Sequence, residues 1–168
     1  TIVKKLLAAK TPTAVWVGPS GARAASGGFY LLIAADVAAM APGTRAGAAA
    51  VVFGMGKSED GDVLLKKATN DLAALARSIA EHRGRNVEAC EKAVVSAESF
   101  TDLAAAKAGI VDLVAKDRED LLRQLHGRKV KRFDGRDLTL ALAGASIVEP
   151  VRTSAAKIEE RVGGFLGN

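Results

Sequence analysis

Short apolar runs that end in turn residues alternate along this chain with longer segments of helical periodicity. The first run, residues 13–17, is closed by Gly18-Pro19-Ser20-Gly21, and further runs cover residues 37–41 and 110–115. Strands that alternate with helices are typical of an α/β domain with parallel strand pairing. We therefore predict an α/β fold whose helices cover residues 2–7, 24–35, 62–82, 87–95, 101–108 and 118–125.

Three further segments complete this prediction. The turn residues Asp134-Gly135 predict a hairpin over residues 130–142. The glycine-rich residues 54–61 predict a loop, and residues 155–166 are amphipathic. A length of 168 residues suits one domain, so we treat residues 1–168 as a single unit.

Composition excludes several kinds of site. Aromatic residues make up only 4% of the chain, which argues against stacking platforms for nucleic acid, and we predict no nucleic-acid partner. The histidines, His82 and His126, lack metal-ligand spacing, so we predict neither a metal site nor a cofactor. The single cysteine, Cys90, lies in a helical pattern and is interpreted as a packing residue. The basic residues 128–132 could contact phosphates or lipid headgroups, but a solvated strand edge is the preferred interpretation.

Neither a signal peptide nor an apolar run of about 18 residues, the length that crosses a bilayer, occurs in the sequence. The chain opens on Thr1, inside a helical pattern, rather than on methionine. We therefore expect it to be a piece of a longer protein.

A serine at the predicted start of a helix is the first candidate for chemistry. Ser26 follows the turn at residues 18–21 and lies among glycines and alanines. The first turn of a helix has unpaired backbone N–H groups, which can stabilise an oxyanion beside an attacking serine. The competing interpretation is that Ser26 only caps the helix.

A nucleophilic serine needs a base, and a lysine can act as one if burial makes it neutral. An apolar stripe at helical spacing runs along the long helix through residues 64, 68, 72, 75 and 79. Lys67 lies near the margin of this stripe, whereas Lys66 points away from it. Lys67 is therefore the lysine that we expect to be partly buried. The alternative is a lysine that keeps its amine in water.

Several motifs, in order along the chain, carry a family resemblance. They are residues 19–28, 35–44, 67–71, 77–80, 84–86 and 104–114. Together they resemble the N-terminal protease domain of the NfeD family of membrane-bound, ClpP-like serine proteases. Residues 106–112 also resemble a segment that ClpP and crotonase relatives share. The resemblance spans essentially the whole chain.

The resemblance implies a ClpP/crotonase-like α/β fold whose initial strands are missing from this fragment. It also implies a serine–lysine dyad with Ser26 as nucleophile and Lys67 as base, and an oxyanion site at the amide of Gly27. In the family a glycine pair before the first helix supplies a second oxyanion donor, which we expect to lie upstream of this chain.

By the same resemblance, the substrates are hydrophobic peptide segments, including those of stomatin-like proteins. The implied parent protein is membrane-anchored through transmembrane helices outside this fragment, with this domain outside the cytoplasm. A homodimer or higher homo-oligomer is also expected.

Two other functions remain possible at this stage. A non-catalytic, ClpP-like scaffold for a membrane partner is suggested by the missing oxyanion donor. A crotonase-like acyl-CoA enzyme is suggested only by the shared fold, and the sequence has no sign of a CoA groove.

Overall fold

The computed structural model describes residues 2–51 and 59–148. Helices and strands alternate through these residues, as the sequence predicts. The helices are α1 (Ile2–Leu7), α2 (Gly27–Ala34), α3 (Glu59–Arg83), α4 (Val87–Val95), α5 (Asp102–Lys107) and α6 (Arg118–Leu125). The strands are β1 (Ala14–Val17), β2 (Arg23–Ala25), β3 (Val37–Met40), β4 (Arg45–Gly47), β5 (Ser99–Thr101), β6 (Leu113–Val114), β7 (Lys129–Lys131) and β8 (Asp137–Thr139).

A parallel sheet of order β1-β3-β6 forms the centre of the fold. Its middle strand, β3, is buried along its whole length and pairs with β1 in the register Val17↔Met40. Strands buried on both faces are continuously apolar, which is why this run is recognisable in the sequence. The predicted parallel pairing is therefore confirmed.

A second sheet of order β2-β4-β5 corrects the prediction. The helix predicted from residue 24 begins at Gly27 instead, because Ala24 pairs in parallel with Ala46 of β4. Gly47 has a φ of +123°, and a Cβ there would lie 2.2 Å from the backbone oxygen of Glu98. Strand β4 can therefore approach β5 this closely only with glycine at position 47.

Other boundaries also shift. Helix α3 begins at Glu59, three residues earlier than predicted, and ends before Gly84, whose φ is +65°. The strand predicted over residues 110–115 shrinks to β6. Strands β7 and β8 pair antiparallel as the predicted hairpin. Most of the predicted loop over residues 54–61 and all of the amphipathic residues 155–166 lie outside the described residues.

Helix α2 lies at the centre of the main core. Phe29, Leu32 and Ile33 have no exposed surface, and they belong to one apolar cluster with residues of α3 and α4. The members from α3 and α4 are largely alanines, such as Ala76 and Ala93. Small side chains allow helices to approach closely, so α3 packs on α2 and α4 through this alanine face.

Cys90 lies in this core on α4 and has no exposed surface. Burial raises the pKa of its thiol to about 11, against a smaller opposing effect of Arg85. A buried thiol with so high a pKa is inert. The interpretation of Cys90 as a packing residue is confirmed.

A buried carboxylate joins the hairpin to the rest of the domain. Asp36 pairs with Arg83 at 2.6 Å and with Arg132 at 3.0 Å, and all three side chains are at most 7% exposed. Thr13 also donates to Asp36 through its backbone N–H and its hydroxyl. Because Arg132 is buried in this pair, one of the basic residues at 128–132 is unavailable to an anionic surface.

Candidate active site

Ser26 lies at a sharp turn between β2 and α2. Its φ of 49° and ψ of −122° fall in a region that residues other than glycine rarely adopt, and the residue is exposed. Such strain persists only where the surrounding structure holds the backbone, and it clusters at functional sites. In α/β-hydrolases the nucleophilic serine occupies a strained strand-to-helix turn of this kind.

The capping interpretation of Ser26 is wrong. Ser26 occupies the N-cap position of α2, but its side chain makes no capping hydrogen bond. By contrast, Asn86, Thr101 and Asp117 each accept a hydrogen bond from a backbone N–H in the first turn of the helix that follows. The Ser26 hydroxyl therefore does not cap the N-terminus of α2, and the residue is exposed to solvent.

Gly27 leaves open space beside this hydroxyl. Apart from its chain neighbours and the backbone of its own helix, no atom of the described residues lies within 4 Å of a Cβ built on Gly27. The amide of Gly27 belongs to the first turn of α2, where N–H groups have no acceptor within the helix. The space beside the Gly27 amide is where the predicted oxyanion site would receive a substrate carbonyl.

Lys67 does not have the partial burial that the sequence predicts. Lys66 and Lys67 are both exposed. Leu64, at 51%, and Leu75, at 39%, are exposed as well, although the helical pattern places them on the apolar stripe. The buried face of α3 is formed instead mainly by alanines, including Ala73 and Ala76. Because α3 packs through these alanines, Leu64 and Leu75 face solvent, and so does Lys67.

Helix α2, which begins directly after Ser26, packs against α3, which carries Lys67. Tyr30 on α2 donates its hydroxyl to the backbone oxygen of Leu72 on α3 at 3.3 Å. Lys67 precedes Leu72 by five residues, which is about 7.5 Å along a helix axis. This hydrogen bond joins α2 to α3 at Tyr30 and Leu72, while the Lys67 side chain lies on the exposed face of α3.

Exposed apolar residues flank Lys67 on that face. Val63, 54% exposed, and Leu64 precede it by four and three residues, so they neighbour it on the helix surface. The Lys67 amine would therefore be desolvated by anything that covers this part of α3.

An apolar cavity beside Gly27 was missed by reasoning from the sequence. Its volume is about 490 Å³, and side chains from α1, α2 and α3 line it together with Phe133 of the hairpin. The sequence shows only parts of its lining, namely the apolar residues of α1 and Leu75. The cavity forms only where three separate helices meet, so no single segment shows it.

Within the described residues, the structure contains no cluster of histidine, cysteine and acidic side chains that could hold a metal ion. No helix among them combines the length and the apolar character needed to cross a membrane.

Comparison with known proteins identifies the family. No protein-family model matches the chain. It is 34% identical over 149 residues to the membrane-bound protease PH1510 of Pyrococcus horikoshii, an alignment that covers 87% of this chain and 33% of that protein. A lysine-to-alanine mutant of 1510-N, a membrane-bound stomatin-specific protease, has been solved with a substrate peptide. This structure matches with a TM-score of 0.81 and 30% identity, covering 97% of this chain and 75% of the other. The chain belongs to the 1510-N protease family.

Two further structures define the fold of the 1510-N family member described here. A serine-to-alanine mutant of 1510-N matches with a TM-score of 0.80 and 30% identity, covering 90% of this chain and 74% of the other. ClpP1 from Listeria monocytogenes matches with a TM-score of 0.51 and 21% identity, covering 71% and 66%, and shares the fold alone. The predicted ClpP-like α/β fold and the predicted relation to membrane-bound ClpP-like proteases are confirmed. The chain spans about a third of the length of PH1510.

Proposed function

We propose that this chain is the catalytic domain of a serine endopeptidase with Ser26 as the nucleophile. The observation that carries the proposal is the geometry of Ser26: an exposed hydroxyl, unused for capping, on a strained turn at the start of α2. Backbone strain of this kind clusters at active sites. Membership of the 1510-N protease family supports the assignment.

The amide of Gly27 is the proposed oxyanion donor. It directly follows the nucleophile, and the open space at Gly27 lets the carbonyl of a peptide come close. In sites of this type, one such donor contributes about 2.7–4 kcal/mol to stabilisation of the transition state.

Lys67 is the proposed base. The serine and the lysine that are replaced in the two 1510-N mutants are separated by the same number of residues as Ser26 and Lys67. A lysine must lose hydration to become neutral near pH 7. We propose that Lys67 loses its hydration when a binding partner covers Val63 and Leu64, its exposed apolar neighbours.

The proposed chemistry is acyl transfer in two steps. Neutral Lys67 accepts the Ser26 proton while Oγ bonds to the scissile carbonyl carbon, and the Gly27 amide binds the oxyanion. Collapse breaks the C–N bond, and protonated Lys67 gives its proton to the leaving amine. Water, deprotonated by Lys67, then attacks the acyl-enzyme and releases the peptide acid and the Ser26 hydroxyl.

Hydrophobic peptide segments, including those of stomatin-like proteins, are the proposed substrates. The 1510-N protease is described as stomatin-specific. In this chain, the apolar cavity beside Gly27 supports the same preference.

A homodimer or higher homo-oligomer is proposed to cover the exposed face of α3. Burial of Val63 and Leu64 against a second copy would remove apolar surface from water and desolvate Lys67. Sedimentation should show that Leu64→Glu dissociates the assembly and slows cleavage. The matched variant Val95→Glu, on an exposed position of α4, should do neither. An unchanged assembly in Leu64→Glu would contradict this part of the proposal.

PH1510 is a membrane-bound protease, and we propose that this chain belongs to a membrane-anchored protein with the domain outside the cytoplasm. A phosphatase reporter that is active only outside the cytoplasm, fused after the domain in the full-length protein, should be active. An inactive reporter would reverse the assigned side.

The dyad is tested by two matched pairs of variants in the full-length protein. Ser26→Ala and Lys67→Ala should each lower cleavage of apolar peptides by about 10³-fold or more, whereas Ser20→Ala and Lys66→Ala should leave it intact. A fluorophosphonate probe should label Ser26, as located by mass spectrometry. Cleavage retained by Ser26→Ala, or by Lys67→Ala, would refute the corresponding role.

A non-catalytic scaffold is the second candidate, and the exposure of Lys67 favours it. A scaffold would bind a membrane partner equally well with or without the Ser26 hydroxyl and would not react with the probe. Probe labelling of Ser26 that depends on Lys67 therefore separates the two functions.

A further inference from the structure

Two arginines lie side by side on neighbouring strands, a few residues before Ser26. Strands β2 and β4 pair in parallel, and their register places Arg23 directly beside Arg45. The middle residues of the two strands, Ala24 and Ala46, are buried, whereas both arginines are exposed. Because side chains alternate between the two faces of a sheet, the arginines share its solvent face.

These two guanidinium groups have no partner among the residues that the structure describes. Asp102 follows β5, the third strand of this sheet, but it is buried and accepts a hydrogen bond from the Gly43 amide at 3.2 Å. By contrast, ion pairs are formed by seven other described arginines, at positions 77, 83, 85, 123, 128, 132 and 136. The pair of Arg23 and Arg45 is therefore an exception that needs a reason.

Two adjacent guanidinium groups suit an anionic ligand. A guanidinium presents its N–H donors in a planar fork, which matches the two oxygens of a carboxylate or phosphate group. Like charges directly opposite each other destabilise a pair of strands, and an anion bound between them removes this repulsion. The register of Arg23 and Arg45 thus lowers the stability of the free domain and favours binding of an anion.

The distance to Ser26 indicates where the anion comes from. Ser26 follows Arg23 by three residues, which is about 10 Å along a strand. An extended peptide covers the same distance in about three residues. The next position of each strand on this face is small, Ala25 beside Gly47, which lets a peptide lie close to the backbone.

We propose that Arg23 and Arg45 bind an acidic side chain of the substrate, about three residues from the scissile bond. The reaction at Ser26 needs no charge on the substrate, so the arginine pair adds specificity. Among apolar segments it selects those with a glutamate or aspartate near the cleavage site. The inference rests on the proposed function, because the distance to the arginines is set by the carbonyl that Ser26 attacks.

The test uses the full-length protein and apolar peptides with glutamate, or glutamine in its place, three residues before or three residues after the scissile bond. At one of the two positions we expect glutamate to raise kcat/KM about tenfold over glutamine. Sodium chloride should lower this ratio, because salt screens exposed charges. A ratio near one at both positions overturns the proposal.

Substitutions at Arg45 locate the site. Arg45→Glu places a carboxylate beside Arg23, so it should abolish the glutamate preference while raising Tm, because repulsion becomes attraction. The raised Tm shows that the preference is not lost through unfolding. Arg123→Glu is the matched control: it changes an exposed arginine of α6 and should keep the preference. If Arg45→Glu keeps the preference as well, the arginine pair is not the site.

Reversal of both charges gives a gain that damage to the fold does not produce. With Arg23→Glu and Arg45→Glu combined, peptides that carry lysine at the same position should be cleaved faster than those with glutamine. A double variant that still prefers glutamate refutes the proposal.

Two measurements separate this site from the proposed catalysis. Labelling of Ser26 by a small fluorophosphonate reports the nucleophile alone, and the Kd of the same peptides for Ser26→Ala reports the arginine pair alone. If Ser26 is labelled but glutamate and glutamine peptides bind equally, the arginine site is refuted and the protease stands. If Ser26 is never labelled but the glutamate peptide binds more tightly, and Arg45→Glu removes the difference, the protease is refuted and the site stands.

A lipid headgroup is the alternative source of the anion, since its phosphate has the same charge chemistry. Calorimetric titration of the full-length protein with dihexanoyl phosphatidylglycerol, against dihexanoyl phosphatidylcholine, distinguishes the two. If only the glycerol lipid binds, and Arg45→Glu abolishes its binding without changing the ratio of glutamate to glutamine, the arginines bind lipid and the substrate site is refuted.

Discussion

Replacing Ser26 with glycine should stabilise the fold while it destroys the proposed nucleophile. The backbone at Ser26, with φ 49° and ψ −122°, is readily accessible only to glycine. Alanine at this position keeps the Cβ and therefore the strain. The comparison of Ser26→Gly with Ser26→Ala thus isolates the backbone, because both variants lack the hydroxyl.

The size of the effect follows from two opposing contributions. Backbone strain of this kind costs about 1–3 kcal/mol, and glycine relieves it. Glycine also gives the unfolded chain more freedom, which lowers the free energy of unfolding by about 0.4–1 kcal/mol. The net expectation is that Ser26→Gly is more stable than Ser26→Ala by about 1 kcal/mol. In a chain of this length that is a rise in Tm of about 2–4 °C.

Thermal unfolding of the two purified variants, followed by circular dichroism, measures the difference. Ser20 provides the control: it lies in the turn before β2 and is not among the described residues with positive φ. Ser20→Gly should therefore melt below Ser20→Ala, the opposite order. If Ser26→Gly melts at or below Ser26→Ala, the turn is not strained, and the observation that carries the proposed function loses its basis.

Three other predictions concern the core and the site. Asp36→Ala should lower the free energy of unfolding by about 3–5 kcal/mol in urea titrations, because Arg83 and Arg132 stay buried without their carboxylate, whereas Glu88→Ala, in an exposed pair, should change it little. Cys90, whose thiol pKa burial raises to about 11, should not react with a disulfide reagent at pH 8 until the protein is unfolded in urea; rapid reaction of the native protein would contradict the described core. Gly27→Ala should fold normally, because its Cβ meets no described atom within 4 Å outside its own helix and chain neighbours. It should still slow peptide cleavage, because the methyl group enters the approach to Ser26; unchanged cleavage would show that substrate does not pass Gly27.

Elements with a strong local pattern were predictable from the sequence. Helix α6 occupies residues 118–125 and helix α4 residues 87–95, as predicted, and the caps Asn86 and Asp117 mark where they begin. The buried strand β3 is continuously apolar, and Asp134-Gly135 marks the hairpin. Each of these signals lies within about ten residues, so it can be read without knowledge of the fold.

Elements of three residues were not predictable in the same way. Strands β2 and β4 pair with each other although α2, β3 and the turn at residues 42–44 separate them in the chain. Each strand is too short to show an alternation of apolar and polar residues. Alanines are compatible with helix and strand alike, so the sequence pattern predicts residues 24–25 as part of the helix that follows, whereas they belong to β2. Partners distant in the sequence decide such segments.

From the sequence alone, local motifs and the family resemblance that they carry predicted the ClpP-like fold, which is confirmed, and the site residues Ser26, Gly27 and Lys67, which stay predictions. Only the tertiary structure decided the state of the side chains. It strains Ser26 without using its hydroxyl as a cap, exposes Lys67 by packing α3 through its alanines, and opens an apolar cavity where three helices meet. The physical reason is that burial and strain depend on which distant surfaces face each other, and a periodic pattern specifies a face of a helix but not its neighbour.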